Sequence, residues 1–196
     1  MVLYTVSRKG DTRSQILDAA LAKVRLGADP TMAEVAAQAG VSRQAVYLHF
    51  QDRGALLLAL IRHADEARGL DAKLAALAKA PSARAAVAAM VGLGASDNPG
   101  LWPVERIFDS LRPGDAAVED AWRERFAGWW EACRAIAQRF QSEDALAPHL
   151  SLDAAADLLS SLTSLRLWEE LVIGRGWTTE RYRGHITYLA VGALTR

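Results

Sequence analysis

The chain has 196 residues, 51% of them apolar, and its 23 Lys and Arg are balanced by 23 Asp and Glu. That length suits one large domain or a small domain joined to a medium one, with enough apolar material for a sizeable core. Cys133 is the single cysteine, which excludes an intrachain disulfide and a thiolate metal cluster and fits a reducing compartment. With no secretory apolar segment near the start and no run long enough to span a bilayer, the expected setting is the cytoplasm, away from membranes.

In chain order, almost every segment reads as helix: alanine is abundant and no alternating apolar run stands out. Residues 1–10 are polar, and Arg8, Lys9 and Arg13 make a possible basic arm. In "TRSQILDAALAKVRLG", Thr12 and Gln15 have capping-box spacing, Ile16, Leu17, Ala20, Leu21 and Val24 form one stripe, and Gly27 is a stop. "TMAEVAAQAG" repeats that punctuation with Thr31, Glu34 and Gly40. Ser42 caps a short helix ending at Phe50, and Asp52 caps a fourth with Leu56, Leu57, Leu60 and Ile61 as its stripe.

Longer elements follow. Pro81-Ser82 opens a helix that "SDNPG" closes, and Pro103 opens another that "RPGD" closes. Over 115–141, Val118, Trp122, Phe126, Trp129, Cys133, Ile136 and Phe140 recur at spacings of three and four. Residues 152–173 are expected as one helix, and Thr178 or Thr179 starts the last. The predicted architecture is all-α, with a three-helix N-terminal head at 1–52, a connecting fourth helix at 52–69, and a larger helical domain at 65–196.

Charge divides along the same line. Residues 1–63 hold eight Lys or Arg against five acids, and the remainder fifteen against eighteen, so a basic head joins an acidic body. Within the head, "AGVSRQAVYLHF" meets the steric needs of a helix-turn-helix. Ala36 and Ala39 are small where two helices cross, and Gly40 suits a turn of positive φ. Val35, Val41 and Val46 pin the pair inward. Arg43, Gln44, Tyr47 and His49 are left on the outer side, where Arg and Gln match base edges and Tyr, His and Ser match phosphates.

These residues carry a family resemblance. "TRSQILDAALAKV" with "TMAEVAAQAGVSRQAVYLHFQDRGALLLALI" resembles the N-terminal domain of the tetracycline-repressor (TetR) family of bacterial transcription regulators. "LWEELVIGRGWTTERYRGHITYLAVGAL" is similar to the last two helices of many members. The resemblance implies a phosphate contact for Thr31, a base-facing surface of Ser42, Arg43, Gln44 and Ala45, and phosphate contacts for Tyr47 and His49. Arg53 stands where a lysine is common and is implied to meet phosphate too. The chain departs from the family at "LGADPTM", which lacks the usual glycine-aromatic pair; Met32 is expected to fill part of that space.

The resemblance also implies a larger helical domain that binds a small molecule and pairs two subunits. Trp102, Phe108, Trp122, Phe126, Trp129, Cys133 and Trp168 are the expected ligand residues, which would suit an effector of apolar or aromatic character. One short recognition helix reads too few base pairs to be selective, so a homodimer on double-stranded operator DNA is expected. For its interface, Leu159, Leu167, Leu171, Tyr182, Ile186 and Leu189 are the expected outward residues, with Leu158, Leu162, Leu165 and Val172 packed inward. The implied function is a repressor released by its ligand. A helical protein-binding adaptor that kept the fold and lost DNA affinity is the alternative. No cofactor or metal is expected: the histidines lack ligand spacing, "GLGASD" follows no strand and lacks a third glycine, and no nucleophile turn occurs, so an enzyme is not supported.

Overall fold

The computed structural model describes residues 9–28, 30–114 and 116–195. The arm expected of Arg8 falls outside them, and Lys9 enters only through its backbone. Ten α-helices are described: α1 Lys9–Arg25, α2 Met32–Ala39, α3 Arg43–His49, α4 Arg53–Ala67, α5 Leu70–Leu77, α6 Ala83–Leu111, α7 Ala116–Ser142, α8 Leu152–Leu162, α9 Leu165–Trp168 and α10 Thr179–Leu194. A π-helical turn, Glu169–Gly174, follows α9. There is no strand among the described residues, only one isolated bridge between Leu146 and Thr195. The fold is all-α.

The chain falls into two compact units, Met1–Ala67 with Pro103–Ala121, and Arg68–Trp102 with Trp122–Arg196. The first takes in the fourth helix and residues 103–121, which the sequence-drawn boundary at 65 assigns to the second domain. Length explains the difference. At about 1.5 Å per residue, a 29-residue helix such as α6 runs roughly 43 Å, and α6 and α7 each contribute to both units.

In the first unit the apolar stripe of α1 is buried at Ile16, Leu17, Ala20, Leu21 and Val24, as its spacing predicts. The helix begins at Lys9, so Thr12 lies inside it and not at a cap. Gly27 closes the turn after α1 with φ +77°, and Met32, five residues on, is buried. Leu56, Leu57, Leu60 and Ile61 of α4 complete the core. His63 Nε2 lies 2.7 Å from Asp18 Oδ1, joining α4 to α1.

In the second unit, Gly69 at φ +62° separates α4 from α5, a short helix that the sequence reading had no cue for. Arg139 on α7 and Glu143, just beyond its end, hold the connection from α5 to α6. Arg139 donates to the Ala80 carbonyl at 2.7 Å and the Leu77 carbonyl at 3.2 Å. Glu143 accepts the Ala83 N–H at 2.8 Å.

Two expected helices, 82–96 and 103–111, are one. Pro99 and Pro103 each delete an i→i−4 bond, at about 3 kcal/mol or more for an interior proline. Leu101, Val104 and Phe108 are buried along one stripe, and burying each such side chain contributes roughly 1.5–3 kcal/mol, enough to offset that cost. Conversely, the single helix expected over 152–173 is broken. Thr163 Oγ1 donates to the Leu159 carbonyl at 2.8 Å, and Ser164 Oγ accepts the Leu167 N–H at 3.2 Å, starting α9 afresh. These hydroxyls bond to backbone groups and so compete with a continuous helix.

Candidate nucleic-acid interface

The interface is built from α2, α3 and the start of α4. Thr31 caps α2: its Oγ1 accepts the Glu34 N–H at 3.3 Å, and its own N–H donates to Glu34 Oε2 at 2.8 Å. Those bonds hold the Glu34 carboxyl below its usual pKa. The Thr31 hydroxyl also donates to Glu34 at 3.0 Å, so both of its donors are committed within the chain.

Gly40 ends α2 in the left-handed conformation, φ +67°, which only glycine adopts at no steric cost. Ser42 caps α3 by accepting the Ala45 N–H at 3.1 Å. Val46 is fully enclosed and Phe50 nearly so, with Val41 half-buried. The Arg13 guanidinium lies 5.4 Å from the Phe50 ring centre, so Arg13 braces this helix end and is no part of a free arm.

With its inner side anchored, α3 offers its outer side to solvent. Ser42, Arg43 and Gln44 are exposed, Tyr47 is 49% exposed, and Ala45 and His49 are half-buried. Leu48 is 78% exposed, and the sequence reading passed over it. The signal was available: Leu48 is four residues beyond Gln44, so the two share a helix face. Arg53 differs from the other expected contacts. At the first position of α4, which Asp52 caps by accepting the Ala55 N–H at 2.7 Å, it is half-buried and its Nε and Nη2 are shielded from solvent.

A capped short helix, held on one side by Val46 and Phe50 and carrying guanidinium, amide and phenol groups on the other, follows a glycine turn from a second capped helix. The model of the bacterial regulatory proteins of the tetR family matches residues 16–60, which span this whole arrangement. The chain carries a tetR-family domain. Solved structures support the fold over nearly the full length of the chain. A Saccharomonospora viridis protein in complex with choline is 18% identical, with a TM-score of 0.79 over 95% of this chain and 99% of its own. The Bacillus subtilis regulator FadR, in complex with stearoyl-CoA, is 17% identical, with a TM-score of 0.74 over 91% and 97%. A TetR transcription regulator from Haloarcula marismortui is 16% identical, with a TM-score of 0.73 over 95% and 100%. No curated protein matches the chain in sequence.

The expected ligand residues are not brought together as one group. Cys133 and Trp168 are buried in the second unit's core, and Trp102 and Trp129 pack against that core. Trp129 donates from Nε1 to Thr163 Oγ1 at 3.1 Å, and its neighbour Trp130 donates to Asp157 at 2.7 Å, so both rings tie α7 to α8. Trp122 and Phe126 stack on each other at 5.7 Å between centres, with Phe126 exposed. Phe108 belongs to the first unit.

The expected dimer residues need a clear correction. Leu159, Tyr182 and Ile186 are buried in the core of their own subunit and cannot meet a partner. Leu167 and Leu171 are half-buried. Leu158, expected inward, is exposed, as are Tyr188 at 79% and Leu189 at 50%. The stripe of α8 that turns inward is Ala155, Ala156, Leu159 and Ser160. Small alanines and a serine take inner positions beside Leu159, so the bulkier Leu158 is left outside. Within the described residues, no helix is long and apolar enough to cross a membrane.

Proposed function

We propose that the protein is a homodimeric repressor acting in the cytoplasm, which reads a two-fold operator with α3 and is released by a small effector held in the second unit. The observation that carries the reading is the division of α3. Val46 and Phe50 are anchored, while Arg43, Gln44 and Tyr47 are exposed. A helix held in that way enters a major groove with its N-terminal residues toward the base edges. Arg43 and Gln44 at its start have the bidentate chemistry that distinguishes base pairs.

Dimerisation is supported by the exposed apolar residues Leu158, Tyr188 and Leu189 on two helices, α8 and α10, that pack against each other. Two reading heads on one dimer fit half-sites about one DNA turn apart, or a multiple of it. An effector that favours another head spacing lowers DNA affinity by its differential affinity for the two states, and DNA lowers effector affinity in return. An organic effector is supported by the choline and stearoyl-CoA bound to two proteins of the same fold; here the tryptophan-rich second unit favours one of apolar or aromatic character.

A shift assay with the DNA flanking the protein's own gene tests the proposal. Saturable binding that survives competitor DNA, and a complex of two chains per site, are the expected results. Binding no stronger than to unrelated duplex would favour the adaptor alternative.

A further inference from the structure

Asn98 is the only asparagine of the sequence, and it lies on α6 with 6% of its surface exposed. At spacings of three and four it continues the stripe of Val87, Val91 and Ala95, which faces the second unit's core. Its Nδ2 is enclosed and makes no hydrogen bond. The amide lies back over Gly94, where a Cβ would stand 3.5 Å from Nδ2, in ordinary van der Waals contact.

The next residue in sequence behaves differently. Asp97, with a side chain 11% exposed, accepts from Lys73 Nζ at 2.8 and 3.0 Å and from Arg68 Nη1 at 3.2 Å. The Ser96 hydroxyl also donates to it at 3.1 Å. At this turn of α6 the carboxylate is therefore fully engaged and the amide beside it is not. Folded chains seldom keep a buried donor unmet without a role for it, because the group has lost its water and gained nothing.

We propose that Asn98 is a specificity-determining contact for the effector, donating from Nδ2 to an acceptor oxygen on an otherwise apolar, neutral molecule such as an aryl ketone. Neutrality follows from the setting: Asn98 continues the apolar stripe of Val87, Val91 and Ala95 toward the buried core, where an ion would lose its water with no counter-charge to meet it, while Asp97 is already matched by Arg68 and Lys73. Arg68 directly follows Ala67, the last residue of α4, so an effector held at Asn98 adjoins the turn of α6 that grips the chain just beyond α4. The proposal rests on the reading of the second unit as a ligand-binding domain.

The lone asparagine makes the test direct. In the full chain labelled with [15N]asparagine, the side-chain amide gives one pair of resonances. Acetophenone and isopropenylbenzene differ only by a CH2 group in place of the carbonyl oxygen, and serve as the two probes. Acetophenone is expected to move the Asn98 pair downfield and to bind about fivefold tighter than its hydrocarbon twin, the share of one net hydrogen bond. Asn98→Leu should abolish that preference with no loss of melting temperature. Gly94→Ala, which favours the helix and covers one side of the amide with a methyl at van der Waals distance, should reduce the preference with the fold intact. Equal binding of the two probes, binding of neither at millimolar concentration, or an unmoved resonance pair would overturn the assignment. So would a melting temperature several degrees lower in Asn98→Leu, since it would mean that the amide is already satisfied in the free protein. Release from DNA is a separate shift-assay measurement, so failure of this contact and failure of ligand-relieved repression are distinguishable.

Discussion

Arg43 and Tyr47 are both exposed on α3, but their chemistry divides the work of reading DNA. A guanidinium pairs with two acceptors on a guanine edge, and each good bidentate pair is worth about 1–3 kcal/mol of discrimination. Arg43→Ala is therefore expected to weaken the cognate complex about five- to 150-fold and to relax preference at one base pair per half-site. Tyr47→Phe removes only a hydroxyl suited to a phosphate. It should weaken all duplexes by a similar factor with preference unchanged, and since no charge is lost the salt slope should stay put. Binding isotherms on cognate and single-mismatch duplexes at three salt concentrations separate the two outcomes. Cys133 belongs to a different part of residue chemistry. Its thiol is enclosed 3.7 Å from Met90 Sδ, and burial pushes its pKa from 9.0 up to about 12. The unfolded chain therefore loses this proton near pH 9 while the folded chain keeps it, so its contribution to stability is present below pH 9 and declines as the pH rises toward 12. Burial likewise pushes the Tyr182 phenol from 10.0 up to about 12, and its contribution starts to decline a unit later. Melting curves between pH 8 and 10 are expected to fall with pH in the wild type and to flatten in Cys133→Ala, even if that variant is less stable throughout.

At the scale of the element, the connection between α5 and α6 is held by side chains from α7, far away in sequence. Arg139 satisfies two carbonyls that follow or end α5, both partly buried. Hydrogen bonds to a charged group contribute roughly 1.5–3 kcal/mol. Arg139→Ala should therefore lower stability by about 2–3 kcal/mol, read from denaturant midpoints, with the unfolding slope unchanged if two-state behaviour holds. No local pattern announces such a clamp, because it joins residues about sixty positions apart. Legibility from sequence followed that distinction. Gly40 and Ser42 are local signals whose geometry is confined to one turn, and the helix-turn-helix and its exposed Arg43, Gln44 and Tyr47 were readable for that reason. The proline and glycine of "SDNPG" are equally strong local signals, yet α6 runs through them because Leu101, Val104 and Phe108 gain more by staying in one stripe. Thr163 and Ser164 misled in the other direction, as hydroxyls that break a helix when they bond to its backbone and decorate it when they do not. On α8 alanine and serine take the inner side and leave Leu158 outside, and on α10 Tyr182 and Ile186 turn into the core, so the expected dimer residues were wrong at Leu159, Tyr182 and Ile186.

For the whole molecule, the question is how one short helix gains enough selectivity to regulate. A single α3 reads a few base pairs, and joining two readers turns the second binding event into an intramolecular one, worth about 10²–10⁴ in affinity when the geometry allows both to engage. On the proposed reading, the apolar residues that α8 and α10 leave exposed hold the two readers together. An exposed leucine is common and needs no partner, so the decisive comparison is between surfaces of equal exposure and different role. Leu189→Glu and Tyr188→Glu place a charge where the partner would have to bury it, whereas Leu26→Glu places one on an 87% exposed residue of the first unit. In sedimentation at micromolar concentration, the α10 variants are expected to run as monomers and the Leu26 variant as a dimer. Operator affinity should fall by two orders of magnitude or more in the α10 variants and stay within about threefold in the control, since surface substitutions away from a contact usually change free energies by no more than 0.5 kcal/mol. The α10 variants should still bind DNA, with a salt slope about half that of the parent, because each freed chain keeps its own α3 and its own phosphate contacts. If the α10 variants stayed dimeric with full operator affinity, the pairing surface would lie elsewhere on the molecule. If they became monomeric without loss of affinity, the two-headed reading itself would fail.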